Sequence, residues 1–422
     1  MRSRAHQRAG VPARRVALLG ALVGALVAAL ALAGCGGSSI PPPVSAEKTP
    51  TSAPSDRPTR SDVPESLRDV AMPHPGKVKT PLFTQDLLVF SQDPLPSGVV
   101  DAIKAVKGVQ AAEQFSMASF YDEEQQVTYA AVDPDTFRRY MPASVAQNSE
   151  MWDRVADGEL GVTPSIRDAI AVQDDSVKLG NGQDAPTLHI GAFAPLNEDL
   201  NRPFINAVVN ERWAPKLHMP AGNALLISTN LVDPAKVQPA VKALAGDKAT
   251  VQILGPGRNL DPHAALTAVL TGGSVAQAVG SFTYTVNGDG TVNPDPRWVS
   301  QYIRTEQVPI LGAVRCNKAM LPQLRAALTE VVKLGLASKI HANEYGGCYV
   351  PRYIGHDPSQ GLSFHTWGTA IDLNVPGNQR GTVGTIDRRV VQIFKRWGFN
   401  WGGTWRYTDP MHFEMAHLVA VR

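Results

Sequence analysis

Two histidines and two carboxylates near the C-terminus have the types and spacing of a hydrolytic metal centre. His365 and Asp372 belong to the run Ser-Phe-His-Thr-Trp-Gly-Thr-Ala-Ile-Asp, and His412 belongs to the later run Asp-Pro-Met-His-Phe-Glu. Two histidines and one carboxylate can hold a catalytic zinc ion, which keeps a fourth position for water and lowers the pKa of that water to roughly 7. Asp409 lies three residues before His412 and is a candidate base. We predict one zinc ion per chain, bound by His365, Asp372 and His412.

These runs resemble the motifs of a known peptidase family. The family pattern is S-x-H-x-x-G-x-A-x-D, then W-G-G-x-W, then D- or E-x-x-H, and here the three parts begin at Ser363, Trp401 and Asp409. An upstream Tyr-x-x-Arg also belongs to the pattern and corresponds to residues 349–352. Residues 280–422 are therefore similar to the zinc D-Ala-D-Ala carboxypeptidase and L-alanyl-D-glutamate endopeptidase family (peptidase family M15, the VanY-like group).

The resemblance implies roles for the residues around the metal. Asp409 would accept a proton from the attacking water and pass it to the leaving amine, and Arg352 would help the metal to stabilise the oxyanion. The alternative for Arg352 is a surface ion pair. Many relatives carry the longer Glu at the position of Asp409. Glu414 alternates with His412 along a predicted strand, so it is either a second candidate base or a group that orients a ligand.

Other side chains of the motifs are expected to support the site. Ser363 is predicted to hydrogen-bond substrate or a ligand, because neither G-x-S-x-G nor S-x-x-K surrounds it as a nucleophilic serine would require. Tyr349 accompanies Arg352 in the family pattern. Trp405, like the other two tryptophans of the motifs, either lines the substrate cleft or packs in the core.

The elements that must hold these residues are expected to form an α+β domain over residues 281–422. Residues 282–286 have a strand pattern, and residues 322–334 and 387–397 have the apolar spacing of amphipathic helices. Small residues around Gly368 allow a loop histidine and a strand aspartate to approach one ion. The resemblance places the motifs on strands and loops around a small antiparallel sheet.

Residues 82–261 are expected to form a mixed α/β domain with two layers. Strand and helix patterns alternate along this region, with strands at 86–90, 126–132 and 187–191 and capped helices at 96–106 and 233–244. Segments that begin at Ile103, Trp152 and Val177 resemble the extracytoplasmic domains of lipoprotein-release-type ABC permeases, which implies a protein partner. Residues 262–280 are expected to be a linker or a helix between the two domains.

The N-terminus has the features of a bacterial lipoprotein signal over residues 1–34. Five arginines precede an uncharged apolar stretch over residues 16–33, which ends in Leu-Ala-Gly and Cys35. Lipidation of Cys35 would anchor the chain to the outer face of the cytoplasmic membrane. The alternative is an uncleaved membrane helix, since the stretch nearly reaches the ~20 residues that span a bilayer. In both cases the domains are expected to be extracytoplasmic.

Residues 35–81 are rich in Pro, Ser and Thr and contain few large apolar residues. Such a segment cannot bury enough surface to fold, so we predict a disordered tether. At ~3.3 Å per residue, its length allows an extended reach on the order of 100 Å from the membrane toward the cell wall.

Cys316 and Cys348 are the only other cysteines of the chain. Outside the cytoplasm two remaining cysteines are expected to pair, which would tie the segment that carries Arg352 to the preceding helix. The alternative is two buried thiols.

The charge of the chain argues against nucleic acid as a partner. The formal net charge is only +2, five arginines lie in the signal segment, and basic residues form no stripe elsewhere. The sequence therefore predicts a zinc peptidase that hydrolyses peptidoglycan stem peptides, either as a D,D-carboxypeptidase or as an L-alanyl-D-glutamate-type endopeptidase. The alternative is a non-catalytic cell-wall-binding or adaptor lipoprotein.

Overall fold

The computed structural model describes residues 64–167, 170, 174–197, 203–254 and 265–421. The described residues belong to a single compact unit, which contains both the N-terminal and the C-terminal half. The predicted signal segment 1–34 and Cys35 lie outside the described residues. None of the helices in the described ranges is long and apolar enough to cross a bilayer.

Within the described residues of the N-terminal half, nine strands form one mixed sheet. The strands are β1 (Leu87–Ser91), β2 (Ala111–Asp122), β3 (Gln125–Val132), β4 (Leu160–Val162), β5 (Ser176–Lys178), β6 (Thr187–Phe193), β7 (Ala207–Asn210), β8 (Ala224–Ser228) and β9 (Ala249–Ile253). Their spatial order is β5-β6-β4-β7-β3-β2-β8-β1-β9. The pairs β3–β7 and β4–β6 are parallel, and the other pairs are antiparallel.

Helices cover this sheet, and its central strands are buried on both faces. The helices are α1 (Ser97–Lys104), α2 (Pro134–Phe137), α3 (Ala143–Ala146), α4 (Ser149–Asp157), α5 (Pro164–Arg167) and α6 (Pro234–Ala245). Leu87 and Val89 of β1 pack with the apolar residues of α1 and α6, whereas Leu88 and Phe90 belong to the larger core of the other face. The predicted two-layer arrangement is therefore correct for only part of the sheet.

The predicted tether is wrong for residues 64–81, which pack against the N-terminal half. Val70 is fully buried, and the Met72 amide donates to the Ala156 carbonyl at 2.7 Å. The Arg138 guanidinium donates to the Gly76 carbonyl at 3.0 Å. The segment has few apolar residues, but these side chains and backbone groups find partners on the folded domain, which composition alone cannot reveal.

The C-terminal half contains three small antiparallel sheets within its described residues. Its strands are β10 (Leu266–Ala268), β11 (Phe282–Val286), β12 (Val292–Pro294), β13 (Ile303–Val308), β14 (Gly312–Asn317), β15 (Ala370–Asp372), β16 (Phe399–Trp401) and β17 (His412–Met415). They pair in the orders β10-β11-β12, β13-β14 and β15-β17-β16. The helices are α7 (Ser274–Val279), α8 (Pro296–Tyr302), α9 (Leu321–Lys333) and α10 (Arg388–Arg396).

Short 3-10 turns connect these elements. They are Glu65–Leu67, Arg138–Tyr140 and Glu211–Trp213 in the N-terminal half, and Ala337–Lys339, Ala342–Glu344, Ile354–His356, Phe364–Thr366, Val375–Gly377 and Gly402–Thr404 in the C-terminal half. In the segment expected to be a linker or a helix, the structure has strand β10, which pairs with β11, followed by the short helix α7.

The amphipathic helices predicted near the C-terminus are confirmed as α9 and α10. Leu324, Leu328 and Val331 of α9 are fully buried, as their spacing of three and four residues requires. The Asp387 side chain caps α10 by accepting a hydrogen bond from the Arg389 amide at 2.9 Å. The mixed α+β class and the small antiparallel sheet near the C-terminus agree with the prediction.

The hairpin of β2 and β3 reaches from the large sheet to the C-terminal half. Tyr121, near the end of β2, is buried against Phe364 and Trp367, with ring centroids 4.8 and 6.1 Å away. Because Phe364 and Trp367 flank His365 in sequence, the N-terminal half contacts the loop that carries a predicted zinc ligand.

Candidate metal centre

Strand pairing places two of the predicted ligands opposite each other. Strand β15 pairs with β17 so that Asp372 lies opposite His412 and Ala370 lies opposite Glu414. Alternate side chains of a strand share a face, so His412 and Glu414 project from the same side of β17. The sheet itself therefore brings together Asp372 and His412, which are distant in sequence.

The third predicted ligand is held by a short turn. His365 lies in the 3-10 turn Phe364–Thr366, and its amide donates to the Ser363 hydroxyl at 3.4 Å. Ser363 thus contacts the backbone of a ligand residue, in line with one of its two predicted roles. The chain then turns at Gly368, whose φ is 65° and where a Cβ atom would lie 2.9 Å from the Asn317 amide nitrogen. Glycine is needed at this position for both reasons.

The three predicted ligands converge. Their candidate ligand atoms all lie within 4.8 Å of one another. His365 Nε2 is 3.2 Å from one oxygen of Asp372, and His412 Nδ1 is 3.2 Å from the other. His365 Nδ1 lies 3.0 Å from the Cys348 carbonyl oxygen. Because a carbonyl oxygen only accepts hydrogen bonds, Nδ1 carries the proton and Nε2 carries the lone pair of the ring. Among the described residues this buried Nε2 atom has no hydrogen-bond partner, which fits a metal ligand.

Glu414 contacts the other side of the His412 ring. Its Oε2 atom is 3.5 Å from His412 Nε2, and its Oε1 atom accepts a hydrogen bond of 2.7 Å from Asn181 of the N-terminal half. A carboxylate beside the nitrogen that does not bind metal fixes the orientation of the ring and increases its basicity. Glu414 Oε2, like Asp409 Oδ1, has no hydrogen-bond partner among the described residues. The role of Glu414 as the group that orients His412 therefore stays a prediction.

The electrostatics of the site keep the carboxylate ligand ionised. Burial alone would raise the pKa of Asp372, but His365 and His412 hold that pKa well below its ordinary value. Burial alone would lower the pKa of His412, but Asp372 and Glu414 raise it well above its ordinary value. Two imidazoles and an ionised carboxylate are a donor set suited to zinc, so the residues present fit the ion.

Asp409 lies beside the ligands with one unpaired oxygen. The residue is 6 % exposed, and its carbonyl accepts a hydrogen bond from the His412 amide at 3.1 Å. Its Oδ2 atom is 3.6 Å from Arg380 Nε, and Oδ1 has no hydrogen-bond partner among the described residues. Burial raises the pKa of Asp409, His412 and Arg380 lower it, and Asp372 raises it further. A buried carboxylate with a free oxygen at this place suits a general base.

Arg352 and Tyr349 lie near the ligand turn. The Arg352 amide donates to the Thr366 hydroxyl at 3.0 Å, while its guanidinium donates to the Tyr353 carbonyl at 3.3 Å. The Arg315 guanidinium, from β14, lies 4.8 Å from the centre of the Tyr349 ring. Burial raises the pKa of Tyr349 to about 12. The predicted contact of Arg352 with an oxyanion concerns bound substrate and stays a prediction.

The motif tryptophans divide between the site and the core. The Trp405 ring is 5.3 Å from the ring of His412 and so lies at the metal centre. Trp367 is buried against Phe282, with ring centroids 5.4 Å apart. The Trp401 indole is also buried. Trp367 and Trp401 therefore pack in the core.

The predicted disulfide between Cys316 and Cys348 is confirmed, with Cα atoms 5.4 Å apart. Its expected attachment to a helix is wrong, because Cys316 lies in strand β14. In this strand the exposed Arg315 alternates with the buried Val314 and Cys316, which is the period of a strand with one buried face. Since the Cys348 carbonyl bonds His365, the disulfide secures the residue that orients a ligand.

Several residues at the site come from places that no motif indicated. Glu123 and Glu124 form the tip of the β2–β3 hairpin, and Asn181 follows β5. Glu124 forms an ion pair with Arg380, which itself approaches Asp409. Burial raises the pKa of Glu124, and Arg380 opposes this rise. The sequence does not reveal these contacts, because the hairpin tip and its partners in the C-terminal half are far apart along the chain.

A cleft of about 270 Å³ lies between the hairpin tip and the metal-centre loops. Its walls come from both halves of the chain and include charged and aromatic side chains. The lining residues are Asp122, Glu123, Glu124, Gln125, Ile354, Gln360, Arg380, Trp405, Arg406 and Tyr407.

The comparison with another domain of known structure gives a weak likeness. The extracellular domain of the noncanonic ABC-type transporter YknZ from Gram-positive bacteria aligns with 12 % sequence identity and a TM-score of 0.23, over 40 % of this chain and 99 % of that one. A TM-score of this size does not establish a shared fold. The predicted likeness of residues 82–261 to permease domains stays a prediction.

Comparison of the C-terminal residues with known proteins agrees with the motifs. Residues 357–415 match the model of a family described as D-alanyl-D-alanine carboxypeptidase. The peptidoglycan L-alanyl-D-glutamate endopeptidase CwlK of Bacillus subtilis (strain 168) is 38 % identical over 69 residues, which are 13 % of this chain and 40 % of that relative. Residues 357–415, which match the family model, contain His365, Asp372, Asp409 and His412. The resemblance of the C-terminal segment to this peptidase family is thereby confirmed.

Proposed function

We propose that this protein is a zinc-dependent peptidase that hydrolyses peptidoglycan stem peptides, either as a D,D-carboxypeptidase or as an L-alanyl-D-glutamate-type endopeptidase. The observation that carries the proposal is the convergence of His365, Asp372 and His412 beside the partly unpaired carboxylate of Asp409. The family match and the identity to an endopeptidase support the substrate class.

The residues of the chain have distinct roles in this proposal. Zinc, when bound by the three ligands, supplies Lewis acidity and lowers the pKa of water. Asp409 accepts a proton from the attacking water and delivers it to the leaving amine, which contributes roughly 10²–10⁴-fold to the rate. Arg352 stabilises negative charge on the carbonyl oxygen. Glu414 holds the His412 ring in place, and Trp405 forms part of the cleft wall beside His412.

Incubation of the purified full-length protein with muropeptides tests this function. We expect the loss of a terminal D-alanine or a cut between L-alanine and D-glutamate, identified by mass spectrometry of the products. The activity should disappear with a chelator and return with zinc. The absence of any product from a protein that contains zinc would favour a non-catalytic wall-binding or adaptor lipoprotein.

We also propose that the protein is a lipoprotein on the outer face of the cytoplasmic membrane. The support is the arginine-rich start, the apolar stretch and Cys35, all read from the sequence. Mass spectrometry of the membrane fraction should find a mature N-terminus at a lipidated Cys35. An unmodified Cys35 in an uncleaved chain would refute this localisation, without any bearing on the peptidase chemistry.

A further inference from the structure

The tip of the β2–β3 hairpin lines a cleft together with Arg380 and Trp405, which lie beside Asp409 and His412. Asp122 pairs with Gln125, so the two residues between them, Glu123 and Glu124, form a tight turn. The side chain of Glu124 is 24 % exposed and forms an ion pair with Arg380 of the C-terminal half. A carboxylate of the N-terminal half is thereby brought to the catalytic side of the molecule.

Arg380 lies between this carboxylate and the candidate base. Its Nε atom is 3.6 Å from Asp409 Oδ2, and its guanidinium lies 5.3 Å from the centre of the Tyr407 ring. Both Arg380 and Tyr407 line the cleft. A guanidinium binds a carboxylate through two parallel hydrogen bonds, and so it can recognise the free carboxylate of a peptide.

The hairpin tip is held firmly in this position. Glu123 has a φ of 53°, in the left-handed region that favours glycine. The Asn181 side chain accepts a hydrogen bond from the Glu123 amide and donates one to its carbonyl, both 2.9 Å long. The Glu123 carboxylate accepts from the Arg406 amide at 3.2 Å. A strained residue persists when its surroundings fix it in place, and such residues concentrate at functional sites.

The contacts of Asn181 connect the tip to the metal centre. The same side-chain amide donates to Glu414, which orients His412. The Asn400 side chain of β16 donates to the Asn181 carbonyl at 2.9 Å. The turn is thus attached to the sheet of the metal centre and does not merely rest on its surface.

We propose that Arg380 is a subsite for a substrate carboxylate and that Glu124 occupies this subsite as an intramolecular competitor. The inference rests on the proposed peptidase function, because it assigns the place where one carboxylate of the peptide binds. A substrate that ends in a carboxylate would displace Glu124 from Arg380. Glu124 and Arg380 both line the cleft of about 270 Å³ in which the peptide would bind.

Peptide binding to the metal-free full-length protein tests the subsite without turnover. The probe is a D-alanyl-D-alanine peptide with a free C-terminal carboxylate, and the comparison ligand is the same peptide as its carboxamide. Titration calorimetry gives both dissociation constants for the wild type, Glu124→Gln and Arg380→Gln. The matched control is Glu306→Gln, which breaks the ion pair with Arg325 elsewhere on the C-terminal half. Thermal unfolding of each variant verifies that it is folded.

We expect Glu124→Gln to bind the carboxylate peptide about tenfold or more tightly than the wild type, because a charged competitor has been removed. Glu306→Gln should bind as the wild type does, and Arg380→Gln should lose the preference for carboxylate over carboxamide. Unchanged or undetectable binding of the carboxylate peptide by folded Glu124→Gln would overturn the proposal. A preference that survives in Arg380→Gln would also overturn it. Failure of the zinc-loaded protein to cleave muropeptides would instead refute the peptidase function, since the binding experiment involves no hydrolysis.

Discussion

Glu414→Gln is expected to weaken zinc binding without removing the catalytic base. Glu414 is 2 % exposed, and its Oε2 atom is 3.5 Å from His412 Nε2. The substitution keeps the volume of the side chain but removes the negative charge that orients the ring. Loss of such a partner of a metal ligand costs about 10–100-fold in metal affinity. This corresponds to about 1.4–2.8 kcal/mol at 1.4 kcal/mol per tenfold change.

The assay has two readouts, zinc affinity by competition with a chromophoric chelator and kcat at saturating zinc. Glu414→Gln should lose zinc affinity and recover most of its kcat when zinc is in excess. Asp409→Asn should keep its zinc affinity and lose roughly 10²–10⁴-fold in kcat. Glu344→Gln is the control, because Glu344 contacts His341 at 2.8 Å and His341 is not one of the predicted ligands. The control should change neither quantity.

The opposite result for the two variants would refute the assignment of Asp409 as the base and Glu414 as the group that orients His412. If Glu414→Gln binds zinc normally but stays inactive at saturating zinc, while Asp409→Asn retains turnover, then Glu414 is the base.

Two further predictions concern the scaffold. Replacement of both Cys316 and Cys348 by Ala should lower the free energy of unfolding by about 3.7 kcal/mol in the chain-entropy model, given a sequence separation of 32. Urea unfolding measures this free energy, and a loss under about 1 kcal/mol would contradict the model. Gly368→Ala should destabilise the protein more than Gly335→Ala, since both glycines have a positive φ but only the first would bring a Cβ atom within 2.9 Å of another backbone nitrogen. Equal losses of thermal stability would show that the close approach at Gly368 is unimportant.

The metal centre could be predicted from the sequence because its ligands lie in short motifs with characteristic residue types and spacing. Ser363 caps the turn of His365, Gly368 permits the close approach of the loop, and the short strands of Asp372 and His412 pair directly. Each step depends on residues that are neighbours in the motif or lie on adjacent strands. Residue types and their spacing are therefore sufficient to predict most of the metal centre.

The residues from the N-terminal half could not be predicted in this way. Asn181 reaches Glu414 across 233 positions of the chain, and Glu123 reaches Arg406 across 283. Such contacts depend on how the two halves pack, and no local pattern records that packing. Glu123 and Glu124 lie in the acidic stretch 122–124, which belongs to none of the motifs of the metal centre.

Two predictions about the scaffold were wrong, namely the extent of the tether and the attachment of Cys316 to a helix. The segment before residue 81 has the composition of a tether, yet Val70 is fully buried because the folded domain supplies its partners. Tertiary contacts override local composition in this segment. Cys316, by contrast, lies in strand β14, whose exposed and buried residues alternate as a strand requires.

The central claim is that His365, Asp372 and His412 hold one zinc ion that the protein uses to hydrolyse stem peptides. Its most direct test is a zinc titration of the metal-free full-length protein, with the rate of muropeptide cleavage measured at each step. We predict a rate that rises to a plateau at one zinc per chain in the wild type, and no activation in His365→Ala. Zinc bound at one per chain without cleavage, or full activation of His365→Ala, would contradict the claim.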